Sequence, residues 1–523
     1  GFGHGASAGT ALLGDCHTVP DLGEQKPEIV FIDPAVVDAG RIAVALSGEA
    51  EVVRLAGSGT AADEIAACLA GKTGISAIRI ISHGSAGQLV LNNEIIDNHY
   101  ITVHSAAVAS WGRALAGDGD ILLYGCSLAS NPAGTRFVER LAVLTGADVA
   151  ASQNPTGKGG DWSLEYQTGP IGVADLAAAG YEHTLETYIV TQTTDDGTGS
   201  VGTLSWTINQ ANATTDVDDT IAFNLASGDT VTISAQMPAI TDSLTMNGVN
   251  AATGNDVTVQ VETPGTSASR VFNIDASGET INISDMTIKG GDVSALSGDA
   301  AYGGGIYIAA GSLVLDSVIV SGAKASFGGG IYAGSSTVTL ANSTLSGNSA
   351  EHGGGGIFAI APADSSSTVT LTNSTLNGNS AEDGGGIYAE SSTVTLTNST
   401  LSGNSAAHGG GGIFAGSPAD SSSTVTLTDS IVAYNYLANN SGYSDIYNES
   451  ATIYGNHNIS GYDLSGIGSG NATYTYASGL GDTLFAEYET IVADTIYRPV
   501  LADNGGPTET VALADDSIAL GAG

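Results

Sequence analysis

The chain has 523 residues, more than a single hydrophobic core normally accommodates, so at least two domains are expected. Charged residues make up only 13% of it, yet 54 are acidic and 13 are basic, which gives a net charge of −41. This charge argues against binding to nucleic acid or to an anionic membrane surface, and no apolar run is long enough to span a membrane. The composition suits a secreted or cell-surface protein.

The first 26 residues are rich in Gly and Ala and have no clear period, so we expect a flexible lead-in. From residue 27, short apolar runs alternate with segments of helical periodicity, which is typical of βαβ units and of a parallel sheet covered on both faces. The predicted strands are Glu28–Asp33, Glu51–Ala56, Ala77–Ser82, Asp120–Cys126 and Ala147–Ser152. The predicted helices are Ala61–Ala70, Ala106–Ala116 and Thr135–Leu144.

The composition changes near residue 184. Nine of the 13 basic residues precede this point, and Thr, Ser, Asn and Gly dominate after it. Trp206 and Ile208 lie in a helical pattern shortly after the change and are predicted to plug the open end of a solenoid. The predicted segments are a lead-in over 1–26, an α/β domain over 27–183, a β-helix cap over 184–213, a β-helix over 214–500 and a closing segment over 501–523.

Internal repeats fill the second half of the chain, where the tetrapeptide Gly-Gly-Ile-Tyr/Phe recurs. Between its copies, Thr-Val-Thr-Leu alternates polar and apolar residues, so Val and Leu share one face of a strand. Such a strand cannot bury its apolar face alone, whereas coils stacked about 4.8 Å apart align identical side chains into ladders. One ladder is predicted from Ile306, Ile331, Ile357, Ile387 and Ile413.

Two further ladders are predicted in each coil. The isoleucine ladder, the apolar one of these two ladders and the Val and Leu of Thr-Val-Thr-Leu indicate three sheets per coil. The apolar one consists of Leu345, Leu376 and Leu401. The polar one lies at a corner, where stacked side-chain amides can bond turn carbonyls, and consists of Asn348, Asn379 and Asn404.

The repeat resembles the Gly-Gly-Ile-Tyr/Phe repeats of polymorphic outer-membrane proteins and related bacterial β-helix adhesins. Residues 193–213 are similar to the CSLREA-type start of such helices, although Val201 and Trp206 stand where that motif has Cys and Arg. The tail over 501–508 resembles their closing segment. The resemblance covers residues 187–523 and implies a right-handed parallel β-helix.

Two short motifs in the first domain carry candidate chemistry. His83 follows one predicted strand in Ile-Arg-Ile-Ile-Ser-His-Gly, and Cys126 follows the next in Ile-Leu-Leu-Tyr-Gly-Cys-Ser. Because reactive groups gather beyond the carboxyl ends of parallel strands, neighbouring strands would bring both residues to one cleft. There an imidazole can take the proton of a thiol, and the backbone N–H groups of Gly84 and Cys126 can hold an oxyanion.

This arrangement resembles the caspase–gingipain–clostripain group, which includes the self-cleaving cysteine-protease domains of large toxins. These enzymes carry His-Gly after one strand and Cys after an apolar strand, so the resemblance implies a caspase-like fold and a His83–Cys126 dyad. A hairpin over 88–93 is expected, as in some members. Residues 29–165 also resemble a bacterial domain of unknown function that heads giant repeat-bearing secreted proteins.

A structural role for these residues stays open. A Cys that closes an apolar strand is often a small buried side chain, and a His there can simply bond a loop carbonyl. Asp33 and Asp161 are candidates to line a pocket for a basic residue, but both also fit turn or surface positions. Cys68 lies in an apolar helical stripe and is predicted to be core, and Cys16 receives no role.

Three functions are compatible with this organisation. The favoured hypothesis is an extracellular or cell-surface adhesin or scaffold with a cysteine-peptidase-like head that cuts itself or a partner. The alternative is a non-enzymatic protein whose flat, uncharged Thr/Ser ladders assemble into surface layers or filaments. A polysaccharide lyase is disfavoured, because the regular coils lack paired catalytic carboxylates with basic residues.

The predicted partners are other copies of the protein or host and cell-surface molecules, and nucleic acid is not among them. No cofactor is expected, although the acidic composition permits Ca²⁺ contacts through oxygen ligands. One corner of the repeat is a candidate for weak cation binding and gathers Glu351, His352, Glu382, Asp383 and His408.

Overall fold

The chain divides into two compact units in a computed structural model, residues 1–189 with 216–220 and residues 190–215 with 221–523. The structure describes residues 28–456 except 35, 37–38, 47–49, 57–58, 93, 159, 177–180, 182–183, 214–218, 226–227, 252, 263–268, 363–364, 417–422, 439–443 and 450. Beyond these it describes 458–460, 474–476, 488–492, 496–499, 501–502, 508 and 510–511. The predicted lead-in with Cys16, and most of the predicted closing segment over 501–523, lie outside the described residues.

The first unit is a mixed α/β fold. Its sheet has the order β2-β1-β3-β7-β8-β9, in which β9 is antiparallel to β8 and the other neighbours are parallel. Its strands are β1 (Glu28–Ile32), β2 (Ala50–Arg54), β3 (Ile75–Ile81), β4 (His83–Ser85), β5 (Gln88–Leu91), β6 (Glu94–Ile96), β7 (Leu115–Tyr124), β8 (Asp148–Ala151) and β9 (Tyr166–Gln167). Its helices are α1 (Ala39–Leu46), α2 (Ala61–Leu69), α3 (Tyr100–Val103), α4 (Ser105–Ala114) and α5 (Pro132–Thr145).

The main sheet is buried on both faces. Successive residues of β1 alternate between two apolar clusters, with Ile29 and Phe31 in one and Val30 and Ile32 in the other. This double burial explains why the strands appear in the sequence as continuous apolar runs. Helix α1 is missed by the sequence prediction, because it is short and has no acidic residue in its first turn to signal a helix start.

Three features differ from the prediction for this unit. The expected hairpin over 88–93 is part of a three-stranded antiparallel sheet, β4-β5-β6, that begins at His83. Strand β4 starts after a single residue beyond β3, so His83 pairs with Val90. The unit also continues past the predicted boundary at 183 to Ile189. Beyond 183, Thr184 forms a β-bridge with Gly157, and Glu186 forms one with Gly84 of β4.

The elements after β9 are mostly short strands. Helix α6 covers Leu204–Ala211, and a 3₁₀ helix covers Gly298–Ala301. The first strands are β10 (Thr187–Val190), β11 (Thr194–Asp195), β12 (Asp219–Phe223), β13 (Thr230–Ile233), β14 (Leu244–Asn250), β15 (Val257–Val261), β16 (Phe272–Ile274), β17 (Thr280–Lys289), β18 (Ile306–Ile308), β19 (Gly311–Ser321), β20 (Lys324–Phe327), β21 (Ile331–Gly334), β22 (Ser336–Ala341), β23 (Thr344–Ser346), β24 (Ser349–Gly353), β25 (Ile357–Ile360), β26 (Ser367–Thr372), β27 (Thr375–Asn377) and β28 (Ser380–Asp383). The later strands are β29 (Ile387–Glu390), β30 (Ser392–Thr397), β31 (Thr400–Ser402), β32 (Ser405–Gly409), β33 (Ile413–Gly416), β34 (Thr424–Thr428), β35 (Ile431–Ala433), β36 (Tyr436–Leu437), β37 (Ile446–Asn448), β38 (Thr452–Asn456), β39 (Asn458–Ser460), β40 (Tyr474–Tyr476), β41 (Tyr488–Val492), β42 (Ile496–Pro499), β43 (Leu501–Ala502) and β44 (Thr510–Val511).

Successive coils of the second unit stack into parallel sheets of 19, 7 and 5 strands. In the 7-stranded sheet, equivalent isoleucines pair in register and are fully buried, at Ile306, Ile331, Ile357, Ile387 and Ile413. In the 19-stranded sheet the same holds for Leu345, Leu376 and Leu401. On the outer side of the 7-stranded sheet, neighbouring rings stack with centroids 4.8–5.6 Å apart, at Tyr307, Tyr332, Phe358, Tyr388, Phe414 and Tyr447.

A ladder of buried amides runs along one corner of the coils. Asn348 Nδ2 donates to Asn379 Oδ1 at 3.0 Å, and Asn379 Nδ2 donates to Asn404 Oδ1 at 2.9 Å. Asn404 Nδ2 continues to Asn435 Oδ1 at 2.8 Å, and the ladder ends at Asp445, whose carboxylate accepts from Asn435. Each of these asparagines also donates to a backbone carbonyl of an earlier coil. The ladder therefore ties each coil to the next one without leaving a buried amide unpaired.

Helix α6 lies within the predicted cap segment. Thr203 is its N-cap and accepts a hydrogen bond from the N–H of Trp206. The Asp195 carboxylate holds the same end of the helix by accepting from the N–H and the hydroxyl of Ser205. Ile208 is fully buried and Trp206 is half-buried.

Candidate functional site

Two neighbouring strand ends form the candidate site of the first unit. Strands β3 and β7 are parallel neighbours, and His83 and Cys126 lie just beyond their carboxyl ends. The backbones at these ends are in close contact. A Cβ atom added at Gly84 would lie 3.1 Å from the carbonyl carbon of Gly125 and 3.3 Å from the nitrogen of Cys126. A side chain at position 84 would therefore require the neighbouring Gly125–Cys126 backbone to shift by a few tenths of an ångström.

The Cys126 thiol is buried among polar groups of two loops. Its sulfur accepts a hydrogen bond from the N–H of Thr156 at 2.9 Å and lies 3.5 Å from the hydroxyl of Thr184. The residue is 0% exposed to solvent. Burial, and after it the neighbouring carboxyl of Glu186, raise the pKa of the thiol well above its usual value. The thiol is therefore protonated in this form of the protein.

Glu186 shares the buried environment of the thiol. Burial raises the pKa of this carboxyl from 4.5 to about 7, and a hydrogen bond with Cys126 acts in the opposite direction. Its Oε2 atom has no hydrogen-bond partner within the part of the chain that the structure describes. The sequence analysis missed this residue, because Glu186 lies far from both motifs in the chain and no pattern marks it.

The segment 184–187 closes the candidate cleft. The N–H of Gly84 donates to the carbonyl of Leu185 at 2.8 Å, and the N–H of Leu185 donates to the carbonyl of Thr156 at 3.0 Å. Gly84 also forms a parallel β-bridge with Glu186. Leu185 is 0% exposed and belongs to the same apolar cluster as Cys126. The open cleft expected from the sequence is therefore filled by the chain itself.

The His83 side chain is also largely buried, with 4% exposure. Its Nδ1 atom lies 3.4 Å from the hydroxyl of Thr220, which belongs to the same unit. The structure thus brings His83 and Cys126 to one edge of the sheet, with both side chains out of contact with bulk solvent. Of the two predicted oxyanion donors, the N–H of Gly84 is engaged by Leu185.

The two carboxylates considered for a substrate pocket stabilise loops. Asp33 is 1% exposed and accepts the N–H of Asn92 at 2.7 Å. Asp161 is exposed and accepts the N–H of Ser163 at 2.8 Å. These contacts fit the turn roles that the sequence left open, and a pocket for a basic residue stays a prediction.

The remaining candidate residues lie elsewhere. Cys68 is buried in the core, as expected. At the corner considered for cations, His352 Nδ1 lies 3.1 Å from Glu382 Oε2, and His408 Nδ1 lies 3.6 Å from Glu382 Oε1. Across the described ranges, no group of three or more His, Cys, Asp or Glu side chains is arranged to hold a metal ion. Calcium binding stays a prediction.

The chain combines two kinds of structural unit, a mixed α/β unit and a parallel β-helix. Residues 29–189 match a family described as a domain of unknown function (DUF4347). Residues 270–459 match the family described as right handed beta helix region, so this part is a right-handed parallel β-helix. No curated protein matches the chain. None of the described helices has the length and apolar character required to cross a membrane.

Proposed function

We propose that the protein is an extracellular, cell-surface scaffold or adhesin whose β-helix presents a flat, uncharged binding face. The observation that carries this proposal is an array of outward-facing threonines on β22, β26, β30 and β34, here called the threonine array. The array pairs in register over four coils and consists of Thr337, Thr368, Thr393, Thr424, Thr339, Thr370, Thr395, Thr426, Thr372, Thr397 and Thr428.

The threonine array suits association better than the rest of the surface. A chain with a net charge of −41 repels other copies of itself over most of its surface. The array carries no charge, and its side chains are partly exposed at regular intervals of about 4.8 Å between coils. A flat, regular and uncharged sheet face is a favoured surface for lateral contacts. Other copies, or regular cell-surface polymers, are the partners that we propose.

The acidic composition, with 54 acidic and 13 basic residues, supports the extracellular assignment. The scarcity of basic residues after residue 184 supports it as well, since this part of the chain is unsuited to nucleic acid.

Charge placed on the threonine array tests the scaffold proposal. We expect Thr370→Glu with Thr395→Glu to reduce self-association or cell adhesion at least tenfold, measured by sedimentation velocity and by binding to the producing cells. Gln192→Glu with Val201→Glu is the matched control, since both residues are exposed and lie outside the threonine array, and it should leave association unchanged. Wild-type protein that is monomeric at high concentration and does not adhere would contradict the proposal.

A second proposal concerns the α/β unit, which we infer to be a cysteine-endopeptidase-like head held in a closed form. It is favoured by the adjacent strand ends that carry His83 and Cys126 and by the glycine contact that joins them. In this proposal Cys126 is the nucleophile and His83 is the base. In the Leu185→Ala chain, where the covering segment is loosened, labelling with a thiol-directed activity probe, with and without Ca²⁺, should require Cys126 and fall strongly when His83→Ala is added.

The alternative is a head without enzymatic activity, and the protonated, solvent-excluded thiol supports it. A Cys126→Ala protein that matches wild type in processing and peptidase activity would favour this alternative. A polysaccharide lyase has less support, because at the acidic corner of the coils the Glu382 carboxylate pairs with exposed histidines, whereas glycan cleavage uses two opposed catalytic groups.

A further inference from the structure

We propose that residues 184–187 occupy the head as an internal substrate, and that the Leu185–Glu186 peptide bond is the one that the head cleaves. This inference rests on the proposed peptidase activity of the head and adds to it the identity of the bond. It means that the structure represents the uncut, substrate-occupied form of the chain.

The first support is the position of the Leu185 carbonyl. Its oxygen accepts the N–H of Gly84 at 2.8 Å, and this N–H is a donor that the sequence pattern assigns to the oxyanion of a cysteine peptidase. An oxyanion site is recognised by donors at 2.7–3.1 Å from the oxygen that becomes charged, a range of about hydrogen-bond length. The carbonyl that reaches this donor therefore marks the bond placed for attack.

The second support is that the residues on both sides of this bond surround the thiol. The hydroxyl of Thr184 lies 3.5 Å from the Cys126 sulfur, and the carboxyl of Glu186 is near enough to contribute to the raised pKa of the thiol. The segment is extended and adds to the fold through bridges of Glu186 to Gly84 and of Thr184 to Gly157. Extended binding through backbone pairing is a common way in which proteins hold peptides.

The third support is the burial of the Leu185 side chain. Leu185 is 0% exposed and belongs to the same apolar cluster as Cys126. Apolar surroundings favour an apolar residue before the cut bond. This differs from the basic residue considered in the sequence analysis, for which Asp33 and Asp161 would have supplied the charge.

The reaction balances with water as the only co-reactant. The Cys126 thiol gives its proton to His83, and the sulfur forms a bond with the carbonyl carbon of Leu185. The bond between that carbon and the nitrogen of Glu186 breaks, and the nitrogen takes the proton from the imidazolium. Water then hydrolyses the thioester, which leaves a Leu185 carboxylate and the free thiol.

The position of the bond also determines which fragments the reaction would produce. Leu185–Glu186 lies just before Ile189, where the first unit gives way to the second along the chain. Cleavage would leave the β-helix on a fragment with Glu186 at its N-terminus. Burial, and after it the carboxyl of Glu186, raise the pKa of the thiol, which disfavours attack in the closed form.

The test uses the full chain, incubated from pH 5 to pH 9 with and without Ca²⁺ and followed by intact mass and N-terminal sequencing. We expect a fragment that begins at Glu186 from wild type and none from Cys126→Ala. Leu185→Asp should slow its appearance at least tenfold. Gln192→Asp, which places the same charge on a nearby exposed residue, should leave the rate unchanged. Leu185→Ala, checked by circular dichroism, replaces Leu185→Asp if the latter does not fold.

Other results separate this inference from the activity on which it rests. A Cys126-dependent cut at a different bond would establish the peptidase and overturn the assignment of Leu185–Glu186. A chain that stays intact while an activity probe labels Cys126 would overturn self-cleavage alone. A chain that stays intact and whose Cys126 resists the probe even in Leu185→Ala would overturn both.

Discussion

Replacing Asn379 by alanine should destabilise the β-helix by an amount that follows from its contacts. Asn379 is fully buried; its Oδ1 accepts the N–H and the Nδ2 of Asn348, and its Nδ2 donates to Asn404 and to the carbonyl of Leu345. Alanine leaves both Asn348 donors and the Leu345 carbonyl without this partner. At roughly 1–2 kcal/mol for each buried group, we expect a loss of about 4 kcal/mol in the free energy of unfolding.

Urea unfolding followed by far-ultraviolet circular dichroism measures this loss. The control is Thr370→Ala in the same coil, because Thr370 is half-buried on the outer face, and we expect it to change stability by less than about 0.5 kcal/mol. In stacked-coil proteins each coil is stabilised mainly by its neighbours, so unfolding need not be a single two-state step. We therefore compare the urea concentrations at which half of each variant is unfolded. If both variants unfold at the same urea concentration, the amide ladder does not stabilise the coils as argued.

Two further predictions concern the α/β unit. The pKa of Glu186 is raised from 4.5 to about 7 in the folded protein, so the stability that it contributes is complete below about pH 4.5 and is lost as the pH rises through about 7. Urea unfolding should show a loss of about 2.5 kcal/mol between pH 5 and pH 8 in wild type that Glu186→Gln lacks. Equal pH dependence in the two proteins would contradict this. Gly84→Ala should lower the stability of this unit by about 2 kcal/mol, since its Cβ meets the Gly125 backbone, whereas Ala86→Gly, two residues away, should cost less than half as much; thermal unfolding measures both.

The β-helix is the part of the fold that the sequence predicts best. Its identical residues recur at a regular spacing, and a repeat that alternates polar and apolar residues can bury its apolar face only by stacking in register. Ile331 and Ile357, for example, are paired and fully buried. The order of strands in the α/β unit is less accessible, but the motifs at His83 and Cys126 indicate the ends of β3 and β7 because each follows a buried apolar run.

The candidate site could be predicted only in part, because the segment that covers it, residues 184–187, is distant from both motifs in the sequence. Residues 184–187 have no period or motif that relates them to Gly84 or Thr156, and their contacts arise from the tertiary fold alone. The same holds for Glu186, whose raised pKa is caused mainly by burial. A sequence pattern locates residues at strand ends, but it does not show whether another segment covers them.

Alkylation of Cys126 in the native full chain, followed by mass spectrometry, tests most directly that segment 184–187 closes the candidate site. We predict that Cys126 in the folded wild-type chain reacts with iodoacetamide only after denaturation, and that Leu185→Ala, which loosens the segment, reacts at least tenfold faster under native conditions. Rapid alkylation of Cys126 in the folded, uncut wild-type chain would contradict the closed site on which the account of the head depends.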